Sequence, residues 1–422
     1  MIIAVASWGS RGEIEPCVAV GSELQRRGHE VRMAVPPDLV PLAESAGLAT
    51  VAYGGDLQVI LDPYRDFWTC LFRRPWMFRQ LKQKWREISE PIAQGRKEIN
   101  ATLISLADGA DVLFTGMNYE DAAANVAEFN DIRLVVLHWF PFRANGRLVP
   151  FVPAPLCRLA MKVFWYLSWL GTKKVEDVQR QELGLPKATA PWPRRIAERG
   201  SLELQAYDEV CFPGLAAEWA EWNGRRPFVG PLTLESPTDA DDEVAAWIAQ
   251  GTPPIFFGFG SIPVESPADT VGMISAACER LGERALICSG CSDFSCIPQF
   301  DHVKVVSGVN LAAAFPACRA VVHHGGAGTT AVGMRAGLPT LILSTDPNQA
   351  LWGATVKRLK IGTTRRFSAT TQKSLVKDLR TILAPECAIR AREIAARMTG
   401  SAESVAVAAD LVESFAHSGC TS

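Results

Sequence analysis

The densest group of residues able to hold a polyanion is Val321-Val322-His323-His324-Gly325-Gly326-Ala327-Gly328-Thr329-Thr330. A β-branched run ends in two histidines, small residues follow, and a helical pattern starts near Thr329. A strand-to-helix turn of this kind aims unpaired backbone N–H groups and the positive end of a helix at whatever lies in front, and phosphate oxygens suit that place. His324 adds a side-chain donor, and Thr329 and Thr330 add hydroxyls. A turn that needs glycine only for its φ angles would explain the glycines, but neither the histidines nor the threonines. The glycine order is not G-x-G-x-x-G and no Walker A pattern occurs in the chain, so neither a nicotinamide enzyme nor a nucleotide-driven motor is expected.

A second loop of similar make-up, Gly9-Ser10-Arg11-Gly12-Glu13, follows the apolar run Ile2–Ala6. Arg11 suits bidentate pairing with phosphate. Glu13 has two readings. A carboxylate at a helix start is ordinarily a partner of the helix dipole, but one that faces a ligand can also take the proton from an attacking hydroxyl. Gly258-Phe259-Gly260-Ser261 repeats the small-residue loop at the start of the second half.

Loops of this type need strands that end where they begin. In the first half, strand patterns at Ile2–Ala6, VRMAVPP (31–37), Val112–Thr115 and Leu134–His138 alternate with helical stretches, the first from Ile14 to Arg27 with Gly28 as its stop. In the second half, Ile255–Phe259, Ala285–Cys288, Val303–Val306, Ala320–His323 and Thr340–Leu343 read as strands, and Pro267 to Leu281 as a helix closed by Gly282. This is the rhythm of parallel sheets covered on both faces. The expected fold is α/β, with two Rossmann-like parallel-sheet domains facing a central cleft. The Pro-, Thr- and Asp-rich segment 230–243 reads as a linker between domains at 1–229 and 244–422. A final helix, about 402–416, could pack on either.

With 422 residues there is room for two such domains, and 48% hydrophobic with 21% charged residues is ordinary globular composition. A net charge of −2 argues against a nucleic-acid partner. Eleven scattered cysteines read as reduced thiols of a cytoplasmic protein. Cys288, Cys291 and Cys296 lack a fourth ligand nearby, so no metal is expected. The opening MIIAVASWGSRGEIEP has no signal-peptide pattern, and VFWYLSWLG (163–171) is too short to span a bilayer.

GSRGEIEP, FGFGS and HHGGAGTT together resemble the family 1 glycosyltransferases of the GT-B fold, in the branch holding the glycopeptide-antibiotic, sterol and mycobacterial glycopeptidolipid enzymes. LELQRRGHEVRMAVPP, AYDEVCFPG and RRPFVGPLT look most like the glycopeptidolipid group. The resemblance implies inverting transfer of a hexose, a 6-deoxyhexose such as rhamnose or 6-deoxytalose, from a dTDP- or UDP-sugar to a hydroxyl of a lipid-linked acceptor, without cofactor or metal. It assigns the acceptor to the N-terminal domain and the donor to the C-terminal one. His324, Gly326, Ala327, Gly328 and Thr329 would hold the diphosphate, with Ser10, Arg11 and Ser261 near the phosphates and sugar. Val309, in Gly308-Val309-Asn310, falls in the stretch that reads the base, and Glu13 in the position of the base catalyst. Asn348-Gln349 stands where the family usually has a sugar-binding Asp-Gln, with Asp346 two residues earlier. Val332 stands where plant-type members carry a ribose-binding Glu.

Aromatic and basic residues interleave at 62–92, and a second aromatic region lies at 139–169. About half of these rings must be core. The rest suit a wide lipid-tolerant pocket, with Trp68, Trp76, Trp139 and Phe140 as acceptor contacts, and a surface able to settle on the inner face of the plasma membrane. A non-catalytic relative that binds sugar nucleotide or lipid, and a glucosyltransferase acting on a sterol or peptide product, are the competing readings. A sugar-nucleotide epimerase fits less well, since it has no lipid acceptor to house.

Overall fold

The computed structural model describes residues 1–74, 76–149, 152–234, 237–260, 264, 266–290 and 298–418. Strands β1 (Ile2–Ala6), β2 (Glu30–Val35), β3 (Ala49–Ala52), β4 (Val112–Thr115), β5 (Arg133–His138) and β6 (Leu202–Gln205) form one parallel sheet, ordered β3-β2-β1-β4-β5-β6. A second parallel sheet holds β7 (Ile255–Gly258), β8 (Ala285–Cys288), β9 (Val303–Val306), β10 (Ala320–His323), β11 (Thr340–Ser344) and β12 (Gly362–Arg366), ordered β12-β11-β10-β7-β8-β9. Each sheet therefore has the doubly wound order three-two-one-four-five-six. In each, the order reverses between the first and fourth strands, and the loops leaving those two strands bound the crevice where such folds take ligands.

The helices used below are α1 (Arg11–Arg26), α2 (Gln58–Arg73), α3 (Phe78–Ala107), α4 (Ala154–Glu182), α5 (Ala327–Arg335), α6 (Pro347–Arg358) and α7 (Ser401–His417). The chain divides into two compact units, 1–57 with 91–234 and 399–422, and 58–90 with 235–398. Residues 58–90, with α2, thus group with the second sheet, and α7 groups with the first.

Two-sided burial explains the strand residues. On β1, Ile3 and Val5 face the side covered by α1 and α7, and Ala4 and Ala6 face the side holding Ile99 and Leu103 of α3. All four strand residues are fully buried. Ala408, Ala409, Val412 and Phe415 of α7 enter the same cluster as Ile14, Cys17 and Val18 of α1. Arg27 secures that contact through Asp410 at 2.6 Å and Glu413 at 2.7 Å. The guanidinium groups of Arg133 and Arg225 lie 4.8 and 5.1 Å from the Phe415 ring centre.

The expected strands are present. The sequence reading omitted β3, β6 and β12. Glu203 of β6 is buried and accepts from Arg143 and from Arg226 at 2.9 Å, so the strand interior carries an ionic pair where an apolar residue would be looked for. The helix expected from Ile14 begins at Arg11, and the one expected near Thr329 begins at Ala327. Gly282 does close its helix, at φ +68°.

Candidate functional site

In the first unit, the crevice lies at the loops after β1 and β4. Ser10 caps α1, and Glu13 is the third helical residue. Its Oε2 accepts the Ser10 backbone N–H at 2.6 Å and its Oε1 accepts from Asn118 Nδ2 at 3.0 Å. The Asn118 amide also donates to the Trp8 carbonyl at 2.8 Å, tying the β1 and β4 loops together. The carboxylate lies so close to Gly9 that an added Cβ would meet Oε2 at 2.1 Å. Glu13 is therefore both a capping-box residue and a carboxylate with a fixed orientation at the switch point. Arg11 is exposed and pairs with Glu15 at 3.2 Å. Trp8 stands edge-on to Tyr119 at 5.4 Å between ring centres. Its indole N–H is buried without a protein acceptor among the described residues.

Of the expected acceptor contacts, Trp139 follows β5 at the same end of the sheet and is half-buried. A Cβ added at Gly116 would meet it at 3.7 Å, and Ser7 Oγ at 2.6 Å. Phe140 is buried against Phe142, at 5.0 Å between ring centres. Trp68 and Trp76 belong to the second unit. Trp68 packs edge-on to Tyr64 and Phe67, whereas Trp76 is 68% exposed.

In the second unit, the crevice lies at the loops after β7 and β10. The His324 N–H donates to the Gly258 carbonyl at 3.2 Å. Its imidazole then lies over two glycines: a Cβ at Gly260 would sit 2.4 Å from Cε1, and one at Gly326 would sit 2.6 Å from Nε2. Only residues without a side chain leave the ring this seat. Gly326 caps α5 in an extended conformation and supplies no side-chain acceptor, so the first-turn amides of Ala327, Gly328 and Thr329 have no partner within the helix. Burial pushes the His324 imidazole down to about 4 and holds His323 well below its ordinary range. His324 is therefore neutral near pH 7. Any charge leaving on a diphosphate would be met by the α5 amides and dipole and by a neutral imidazole donor.

Thr330 turns its hydroxyl back onto the Gly326 carbonyl at 2.7 Å. Asp346 caps α6 by accepting the Gln349 N–H at 3.0 Å, and burial raises its pKa. Gln349 is buried, and its amide oxygen receives the Thr345 N–H at 2.7 Å and hydroxyl at 2.9 Å, whereas Asn348 is exposed. The Asn310 N–H donates to Asp241 at 2.8 Å, and Val309 lines an apolar cavity of about 250 Å³ with Val244 and Ile248. Ser261, Cys291 and Cys296 lie outside the described residues. Among the described residues no group of three or more His, Cys, Asp or Glu is placed to hold a metal ion. Sequence reasoning missed Asn118, Trp8, Thr345 and Asp241. Only the first had a signal, as a polar residue just past a strand that must neighbour β1.

Residues 3–129 match the glycosyltransferase family 28 N-terminal domain, and residues 285–414 the erythromycin biosynthesis protein CIII-like C-terminal domain. An uncharacterized glycosyltransferase of Mycobacterium tuberculosis is 58% identical over 99% of this chain and 99% of its own. A sterol 3-beta-glucosyltransferase of Arabidopsis thaliana is 28% identical over 86% of this chain and 57% of its own. Among solved structures, the calicheamicin glycosyltransferase superposes with a TM-score of 0.69 at 17% identity, covering 100% of this chain and 99% of that one. A spinosyn rhamnosyltransferase gives a TM-score of 0.65 at 18% identity, covering 97% and 99%. The last two likenesses establish the fold.

Proposed function

The chain belongs to the family 1 glycosyltransferases of the GT-B fold, and from that premise we propose that it transfers a hexose, a 6-deoxyhexose, from a dTDP- or UDP-sugar to a hydroxyl of a lipid-linked acceptor, with inversion at C1. The acceptor oxygen forms the new bond to C1 as the bond to the diphosphate oxygen breaks. Glu13 takes the acceptor proton, and the departing diphosphate passes its charge to the amides of Ala327, Gly328 and Thr329. The loop would do without a metal what a cation does elsewhere. The observation that carries this reading is the seat of His324 on Gly260 and Gly326, beside an uncapped helix N-terminus. Two glycines leave the ring that place. The half-buried Trp139 beside Ser7 and Gly116 fits an apolar acceptor, and the 6-deoxyhexose rests on the sequence likeness and the uncharged Asn348.

Thermal-shift titration with a panel of dTDP- and UDP-sugars, on the protein and on His324→Ala, tests the donor side. Stabilisation by dTDP-6-deoxyhexoses above UDP-glucose, lost in the variant, is expected. No stabilisation by any sugar nucleotide would overturn the proposal. The engagement of both Glu13 oxygens, one as a helix cap and one by Asn118, favours one second reading, a protein that binds sugar nucleotide without turning it over. Such a protein hydrolyses no donor on long incubation without acceptor.

A further inference from the structure

One helix of the first unit is apolar on both sides. The inner face of α4 buries Cys157, Trp165 and Trp169, and the Trp165 indole donates to the Phe142 carbonyl at 3.1 Å. Its outer face is apolar as well: nine large apolar side chains of α4 are exposed. Leu156, Leu159, Val163, Leu167 and Leu170 repeat at three- and four-residue steps, making a continuous stripe about 21 Å long at 1.5 Å per residue. Leu159 is 57% exposed and Leu167 is 60% exposed, so neither is needed by the core. A helix stretch with large apolar side chains on its outer as well as its inner face belongs in a protein interior or against a non-aqueous phase. No described helix is long and apolar enough to cross a membrane.

The charges narrow the occupant. From Ala154 to Val175 the helix carries Arg158, Lys162, Lys173 and Lys174 and no acid. Arg158 is bound to Glu218, and Lys173 to Asp177. Lys162 and Lys174 are exposed and have no ion pair among the described residues. A second copy packed on this face would bring like charges together. A bilayer surface with anionic headgroups pairs them, accepts the leucines, and suits Phe164 and Tyr166 at the interface.

We infer that the outward face of α4 is a membrane-docking surface, on which the protein lies against an anionic phospholipid bilayer without crossing it. The inference rests on the reading of a lipid-borne acceptor. It adds a physical route, because the opposite face of the same helix packs on the loop that follows β5 and begins with Trp139 and Phe140.

The test is flotation of the full-length protein with vesicles of equal parts phosphatidylglycerol and phosphatidylcholine, and with phosphatidylcholine alone. Binding to the anionic vesicles that weakens with salt is expected. Leu159→Ser with Leu167→Ser should weaken it at least ~10-fold, and Lys162→Glu with Lys174→Glu by about fivefold or more per lysine. Transfer to a short-chain, water-soluble acceptor should be unchanged in both variants. Failure of the wild type to float, equal flotation of the variants, or a dimer in sedimentation velocity that the leucine variant dissociates would each overturn the inference. The last would give the face to a second copy. If flotation behaves as expected but no lipid acceptor is glycosylated, the docking surface stands and the acceptor reading falls.

Discussion

Adding one methyl group separates the backbone cost at Gly260 from the seating of His324. Gly260 and Gly282 both have φ +68°, but a Cβ at Gly260 meets the imidazole at 2.4 Å, whereas one at Gly282 meets nothing within 4 Å. Alanine in this region costs roughly 1–2 kcal/mol at either site, a fall in Tm of about 2–8 °C for a unit of this size. Ordinary contact begins near 3.4 Å, so in Gly260→Ala the ring must retreat by about 1 Å. The ring is the free end of a side chain, so this movement costs little stability. A displacement of about 1 Å in a group that positions the reacting diphosphate costs on the order of 10²-fold in rate. Gly260→Ala should thus lose about two decades in kcat/KM for sugar transfer, or a matching share of its thermal stabilisation by nucleoside diphosphate. Gly282→Ala should lose stability alone. If the two variants transfer sugar within threefold of each other, His324 has no positioning role at the donor.

Glu13→Gln should lower kcat by about 10²–10⁴-fold with a small change in stability, because the amide oxygen can still accept the Ser10 N–H; kcat and melting temperature measured together check this. Asn118→Ala removes the donor that orients Glu13 and the tie to Trp8, and should lower kcat more than it raises KM, as steady-state kinetics will show. Because burial lowers the pKa of His324 to about 4, the unfolded chain binds a proton below about 6.5 that the folded one refuses. His324 therefore withdraws stability as pH falls from about 6.5 toward 4, and the drop in Tm between pH 7 and pH 5 should be smaller in His324→Asn than in the wild type. Asp346→Ala removes the cap of α6 and should cost about 1 kcal/mol (range 0.5–2), read by chemical denaturation.

The fold was readable wherever burial on both faces wrote an unbroken apolar run, as in β1, β7 and β10. β6 escaped notice because LELQ carries two polar residues inward, Glu203 to Arg143 and Arg226 and Gln205 to the Glu203 carbonyl, partners far away in sequence or in the strand itself. β12, GTTRR, is an edge strand with one neighbour and little apolar content. At the site, strand-end loops announced the glycine seat and Glu13. The sequence could not say that Thr330 and Gln349 turn their polar groups inward, because those choices depend on the Gly326 carbonyl and Thr345 being in reach. Nor could it place α7: an alternating Ala and Val pattern fits any apolar groove, and Arg27 with Glu413 decides the matter across 386 residues.

The lodging of α7 against α1 has a consequence for how the protein is made. The first unit's hydrophobic cluster is closed by a stretch that leaves the ribosome only after the whole second sheet has been synthesised. At about 5–20 residues per second, a nascent first unit waits on the order of ten seconds with the apolar flank of α1 uncovered. A fragment ending at the linker keeps that flank open permanently. One that carries residues 399–418, fused after a short spacer, supplies its own lid.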